Sequence, residues 1–480
     1  KGWLHYVRND DAGRRGRKSR MKIVTAIDSF KGSMTSMDAG KAVAEGIYRT
    51  DSEAEVLVRP LADGGEGTVE ALTSGMSGSR QQIQVTGPLG TPVICEYGII
   101  EASGTAVIEM AGAAGITLVS DEKRNPLYTT TYGVGEVIRD AIKKGCRRFI
   151  IGIGGSATND GGSGMLQALG YGFLDKNGNQ IPFGARGLKV LETITEAHVL
   201  PELKECRFRI SCEVTNSLCG EQGCSAVFGP QKGATPSMVV EMDQWLENYA
   251  ALAGKKFPKA DPQQAGTGAA GGLGFAFLTF TDAVLESGIK IVLEETRLEE
   301  YIREADLVIT GEGQMDGQTA MGKAPIGVAG LAKKYGKTVI AFTGAAGVDA
   351  EKCNEHGIDA FFPILRNIIF PLFYLFLHFC IAQDFQQKMC LAHSRASRSR
   401  VRQSISSRDC TLENSCPCTG IAFANSFIFL YNILIYHNVG DSVCQISLLR
   451  KYAVNITAWI FRTENPPRCG GGFKESEEFT

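Results

Sequence analysis

The chain has 480 residues, 21% of them charged, and a formal net charge of −2. That is an ordinary globular composition, long enough for two or three domains, with no basic excess of the kind that nucleic-acid binding requires. Composition is uneven along the chain: of 57 glycines only five lie beyond residue 366, against seven of the 14 cysteines.

Residues 1–20 begin with Lys and run into the basic stretch Arg14–Arg20, without the apolar segment of a secretory signal. They are expected to be a non-native upstream extension rather than a fold element. A strand at 22–27 leads into the loop Asp28-Ser-Phe-Lys-Gly-Ser33 and a helix capped by Ser36, with Val43, Ala44 and Ile47 on its inner face. A second strand at 54–59 runs into Leu61-Ala-Asp-Gly-Gly-Glu-Gly-Thr68 and another helix. Strand, loop and helix repeated in this order predict a parallel sheet with its site at the carboxyl ends of the strands.

From about residue 80 the pattern becomes antiparallel, with strands at 81–86, 93–100 and 106–109 joined by Gly-Pro and Ser-Gly turns. Thr129–Thr131 are expected to cap a helix ended by Gly145. The apolar run Arg148–Ile153 then reads as a buried strand that opens into Gly154-Gly-Ser-Ala-Thr-Asn-Asp-Gly-Gly162 and a helix from Ser163. Glycines there allow close backbone approach, and the free N–H groups of a helix start favour an anion. Ser156, Thr158, Asn159 and Asp160 suit a polar, phosphate-bearing ligand; the plainer alternative is a tight turn with a helix cap.

A strand near 208–214, the segment Val227–Gly233, a helix opened by Thr235-Pro236 and the glycine-rich Gly266–Gly274 follow. Doubly wound order returns with the strand Asp306–Thr310, the loop Gly311–Thr319, a helix from Ala324, and strands at 338–342 and 360–364. The expected fold is α/β: a flavodoxin-like doubly wound parallel sheet built from both chain ends (21–80 and 300–366), with a second α/β domain (81–299) inserted.

Residues 367–480 change character abruptly. Their apolar runs, 368–382 and 421–436, fall short of the roughly 20 residues a bilayer span needs. They read as a frame-shifted or read-through continuation, the alternative being a membrane tether on a non-catalytic ligand-binding protein. The run 367–378 lacks the polar periodicity of a covering helix, so the sheet beneath it is expected to be poorly covered.

Two letter-matches fail on context. Gly317–Lys323 resembles a phosphate-binding P-loop, but Ala324 stands where a metal-binding Ser or Thr is required. Gly266-x-Gly-x-x-Gly271 has the letters of a dinucleotide fingerprint but follows no strand, so close backbone packing is preferred. Between residues 21 and 366 only His198 and His356 occur, neither in a glycine-rich loop, which argues against a His-dependent triad or a zinc site. The loops carry Asp28, Asp63, Glu66, Asp160, Glu213, Glu312 and Asp316 instead, accompanied by Lys31, Lys232 and Lys323. Carboxylates for Mg²⁺ and base work, lysines for phosphate and glycine-lined turns are what phosphoryl transfer to a hydroxyl needs.

Asp28–Ser33, Leu61–Thr68, Gly154–Gly162, Val227–Gly233, Gly268–Gly274 and Thr310–Gly313 with Asp316, in this order, resemble the bacterial type 1 glycerate kinases. Glu213, Ser217 and Gln314 stand where that family usually has Asp, Pro and often Arg. The resemblance implies ATP- and Mg²⁺-dependent phosphorylation of D-glycerate by a cytoplasmic enzyme, with 2-phosphoglycerate favoured over 3-phosphoglycerate, a small-molecule substrate and no nucleic-acid partner. On this reading Asp160, then Asp63, is the expected base, and Lys31 also belongs to the catalytic set. Ser29, Lys31, Ser33, Gly64, Gly65, Gly154, Gly155, Ser156, Thr158, Asn159, Asn216, Lys232 and Lys323 are expected to hold substrate or phosphate, and Asp28, Glu312 and Asp316 the metal.

Overall fold

A computed structural model describes residues 20–365 apart from Glu66. The expectations for the upstream extension, for Glu66 and for the tail 367–480 with its apolar runs lie outside these residues. Among the described residues no helix is long and apolar enough to cross a membrane.

The strands, in chain order, are β1 (Lys22–Ile27), β2 (Glu55–Pro60), β3 (Ser79–Thr86), β4 (Pro92–Ile100), β5 (Thr105–Glu109), β6 (Arg148–Gly152), β7 (Gly172–Leu174), β8 (Thr193–Thr195), β9 (Arg207–Ser211), β10 (Ala283–Glu286), β11 (Leu307–Met315), β12 (Thr338–Ala346) and β13 (Ala360–Pro363). The helices that matter for the site are α1 (Ser36–Tyr48), α2 (Thr68–Gly75), α3 (Tyr132–Lys143), α4 (Ser163–Ala168), α5 (Pro236–Gly254), α6 (Ala269–Phe280), α7 (Gly288–Glu295), α8 (Leu298–Glu304) and α9 (Ala324–Lys334).

One sheet has the order β13-β12-β11-β1-β2 with every pairing parallel. Counted by its own strands this is the 2-1-3-4-5 order of flavodoxin-like folds, so the expected α/β class and sheet are present. Its strands are apolar on both faces, as a parallel sheet sandwiched by helices must be. Val24, Ala26, Val308 and Val339 pack with Ile291, Val292, Ile302 and Val328 from α7, α8 and α9. Ile23, Ile27, Ile309 and Ile340 form the opposite face with Ala39 of α1. Beyond α1 the rings of Phe342 and Phe362 lie 6.0 Å apart, and Phe362, Ile364 and Leu365 are exposed.

The second sheet is mixed, with order β10-β9-β6-β5-β4-β3. The β3–β4 and β4–β5 pairings are antiparallel, as the turns predicted, and β5, β6, β9 and β10 run parallel. Strand β10 and the small β7–β8 pair are additions to the sequence reading. Each is only three or four residues long, too short for a period of two to register.

Two caps differ from expectation. Thr35, not Ser36, caps α1 by accepting the Asp38 N–H at 3.1 Å. Ser36 is buried instead, its Oγ donating to the Ile27 carbonyl at 2.6 Å and accepting the Leu61 N–H at 2.7 Å. It thereby ties the carboxyl ends of β1 and β2 together. Ser36→Ala removes the one hydrogen-bond partner of the Leu61 N–H among the described residues and is expected to cost about 1–3 kcal/mol. Urea unfolding of the variant checks this; an unchanged midpoint would show that the tie is dispensable.

Candidate active site

Asp28 and Asp63, just past the carboxyl ends of β1 and β2, come together with Glu312, which lies within β11 one residue beyond the end of its pairing with β1. Asp28 is buried, its Oδ1 accepting the Ser29 N–H at 2.7 Å. Burial, then the neighbouring Asp63 carboxylate, pushes the Asp28 carboxyl up to about 7, with Glu312 adding to the effect and Lys31 opposing it. Burial also raises Glu312 to about 7, against a hydrogen bond from Thr319 Oγ1 and the charge of Lys323, while Asp316 and Asp63 push it further up. Asp63 is half-buried, and its Oδ1 accepts the Gly65 N–H at 2.9 Å. Lys31 and Ser33 are exposed on the loop that carries Asp28, and Lys323 is half-buried at the N-terminal end of α9.

Asp316 is placed differently. Its Oδ1 accepts the Gln318 and Thr319 N–H groups and its Oδ2 the Gln314 amide at 3.3 Å, so it folds its own loop. Among the described residues no three His, Cys, Asp or Glu side chains form a ready-made metal cage.

The raised carboxyls make stability depend on pH. In the folded chain Asp28 and Glu312 keep protons that their unfolded counterparts lose near pH 4, so their contribution is fully present below about pH 4. It is lost as pH rises towards 7 and levels off above that. The loss for Asp28 alone is at most about 4 kcal/mol. Asp28→Asn and Glu312→Gln are therefore expected to narrow the difference in urea midpoint between pH 5 and pH 8. An unchanged difference would show that both groups ionise normally in the fold.

The Gly154–Gly162 loop, between β6 and α4, forms a second cluster. Gly154 and Gly155 are exposed, whereas Ser156, Thr158, Asn159 and Asp160 are buried. Asp160 is wholly enclosed and accepts four hydrogen bonds: from Thr131 N at 2.8 Å, Thr131 Oγ1 at 2.9 Å, Gly162 N at 3.1 Å and Gly164 N at 3.3 Å. Burial pushes its carboxyl up while these donors oppose the shift. Thr131 consequently does not cap α3 with its side chain; its hydroxyl is committed to Asp160 and to accepting the Met165 N–H. An aspartate so engaged and so enclosed fixes its loop against Thr131 and the start of α4.

Lys232 is likewise buried. Its ammonium donates to Ser156 Oγ at 2.8 Å and to the Thr158 carbonyl at 2.7 Å, and burial pulls it down to about 8. It stands as a strut beneath the loop. Asn159 donates to Ser225 Oγ at 2.8 Å, while Thr158 Oγ1 and Asn159 Oδ1 are enclosed with no hydrogen-bond partner among the described residues. Asn216 is tied to neighbouring loops: its amide donates to the Gln222 carbonyl and its backbone carbonyl accepts the Gly268 N–H.

Gly271 (φ +67°) packs against this loop, and a methyl group on it would lie 2.0 Å from the Thr158 carbonyl oxygen. The glycine-rich stretch 266–274 thus packs backbone on backbone, as its lack of a preceding strand predicted. The two clusters adjoin at Gly64, where a methyl group on Gly152 would lie 2.4 Å from the Gly64 carbonyl oxygen. Sequence reasoning missed Thr319, Ser225 and Glu109. Only Glu109, a carboxylate ending an apolar strand, carried a signal that could have been read.

The model of the glycerate kinase family matches residues 23–370. A protein of Escherichia coli K12 named glycerate 2-kinase is 48% identical over 348 residues, which are 72% of this chain and 91% of that protein. A Bacillus subtilis 168 protein named glycerate kinase is 46% identical over 358 residues, 75% of this chain and 94% of its own length. A crystal structure of a protein named glycerate kinase 2 from Salmonella typhimurium LT2 superposes with a TM-score of 0.69 at 46% identity, covering 73% of this chain and 92% of that one.

Proposed function

The chain belongs to the glycerate kinase family and is a glycerate-phosphorylating transferase, and from that premise we propose that ATP is its donor, with Mg²⁺, and that D-glycerate becomes 2-phosphoglycerate rather than 3-phosphoglycerate. The observation that carries the reading is the convergence of Asp28 and Asp63, past the ends of two parallel strands, with Glu312 of the neighbouring β11, and with Lys31 and Lys323 beside them. The preference for the 2-phosphate is supported by the name of the 48%-identical relative.

Asp63 is the better base. It is half-buried and reachable, with Oδ1 oriented by Gly65 and Oδ2 left to accept the proton of the attacking hydroxyl. Asp160 is a positioning residue that holds the Gly154–Gly162 loop against α3 and α4. Exposed Gly154 and Gly155 offer backbone N–H groups to phosphate, and Lys31 and Lys323 balance phosphate or substrate carboxylate charge. Asp28 and Glu312 would hold Mg²⁺, since this ion is commonly bound through one or two carboxylates with phosphate and water completing its shell. Bound there, it would neutralise charge on the phosphates. Ionising these two carboxyls releases protons, so metal affinity rises with pH around 7. The described cysteines are all free thiols, which supports a cytoplasmic setting.

The test is an ADP-release assay on the full chain with ATP, Mg²⁺ and D-glycerate, followed by phosphorus NMR of the product. Release dependent on D-glycerate and a 2-phosphate resonance are expected. No turnover sinks the reading, and a 3-phosphate product sinks its regiochemistry.

A further inference from the structure

The geometry points to Glu213 and Glu109, two carboxylates at the carboxyl ends of second-sheet strands, as positioning residues for Asp63; the inference rests on the kinase reading above. Glu213 follows β9. Its Oε1 accepts the Gly288 N–H at 2.7 Å and the Ser287 hydroxyl at 3.3 Å, which fixes the first turn of α7. That turn is pressed against the Asp63 loop. A methyl group on Gly288 would lie 2.1 Å from the Asp63 carbonyl oxygen and 2.5 Å from Ser211 Oγ. Gly64 (φ +86°) has equally little room: a methyl group there would lie 1.8 Å from Ser211 Oγ and 2.7 Å from the Gly288 Cα.

Glu109 holds the other end of the same loop. At the end of β5, its Oε1 accepts the Val69 N–H at 2.9 Å in the first turn of α2. Thr68 Oγ1 donates back to the Gly65 carbonyl at 2.8 Å, closing the turn between. Residues 63–65 and 67–69 follow a strand of the first sheet, yet their contacts are set from the second. A base must sit within hydrogen-bond reach of the proton it takes, and a displacement of about 1 Å is enough to cost roughly 10²-fold in rate. Each contact is between backbone or capping groups with no room to slide, so losing the Glu213–Gly288 bond transmits directly to Asp63.

The experiment compares Glu213→Ala, Glu213→Gln and Gly288→Ala with the full wild-type chain, by steady-state kinetics and by amide hydrogen exchange of residues 61–69. Glu213→Ala is expected to lower kcat roughly 10–100-fold with the nucleotide KM within about threefold, and to speed exchange in 61–69. Glu213→Gln keeps an acceptor oxygen and is expected to restore both. Gly288→Ala should reproduce the loss, whereas Gly330→Ala, whose added methyl on α9 meets nothing within 4 Å, should not. Unchanged kcat and exchange in Glu213→Ala overturn the inference. So does a loss that spreads across the whole exchange map or that Glu213→Gln fails to rescue, since either marks a merely structural role. A wild-type chain that does not turn over glycerate overturns the kinase reading instead, and the exchange measurement then decides whether Glu213 sets the 61–69 loop.

Discussion

Asp63→Asn is expected to lower kcat on the order of 10²- to 10⁴-fold, with little change in thermal stability. The side chain is half-buried and its only hydrogen bond among the described residues, from the Gly65 N–H, is one that an amide oxygen accepts as well as a carboxylate oxygen does. The loop should therefore keep its shape while the proton acceptor is lost. A nearly unchanged KM with a collapsed kcat is the signature of a group that acts in the transition state. If kcat falls less than about tenfold, proton removal by Asp63 is not part of the rate-limiting chemistry and the base lies elsewhere.

The second large effect belongs to Asp160, and it is one of stability. In Asp160→Asn the amide oxygen can take the place of Oδ2, which faces three donors, but the amide nitrogen then meets the Gly162 N–H. One buried donor without an acceptor costs about 1–3 kcal/mol. Asp160→Ala strands all four donors in a fully enclosed site, and a loss of roughly 3–5 kcal/mol is expected. Urea midpoints rank the variants: wild type above Asp160→Asn above Asp160→Ala. A stable Asp160→Asn with kcat reduced as far as in Asp63→Asn would reverse the assignment and make Asp160 the base.

The contrast between these two aspartates shows where a sequence reading stops. Both sit in glycine-rich loops after parallel strands, and residue type and spacing cannot tell them apart. What separates them is the number of N–H and O–H groups that the fold delivers to each, and Thr131, which supplies two of Asp160's four, lies 29 residues away. Lys232 is a similar case. Beside Gly233 it reads as a phosphate hand, yet its ammonium is enclosed and spent on Ser156 and Thr158. The flavodoxin-like sheet was legible because β1, β11 and β12 begin as apolar runs, a pattern local enough to read, although β11 continues through Gly311 to Met315, where a loop was expected. The neighbouring Thr35 and Ser36 are equally good caps by composition, and only the position of Leu61 decides which of them looks inward.

The first sheet also constrains how the chain can be made. Its central strands are drawn from opposite ends of the described chain: the Lys22 N–H meets the Asp306 carboxylate across 284 residues. At a translation rate of about 5–20 residues per second, β1 waits roughly 15–60 s on the ribosome before β11 emerges. Through that interval one edge of β1 offers unpaired N–H and C=O groups and invites pairing with another chain. The second sheet has no such delay, since β3 to β10 are contiguous and can assemble as soon as residue 286 is out. The nascent protein thus acquires the platform that grips the 61–69 loop before it acquires the partner strand of β1. Glu109 and Gly152, which meet Val69 and Gly64 in the folded chain, belong to that platform.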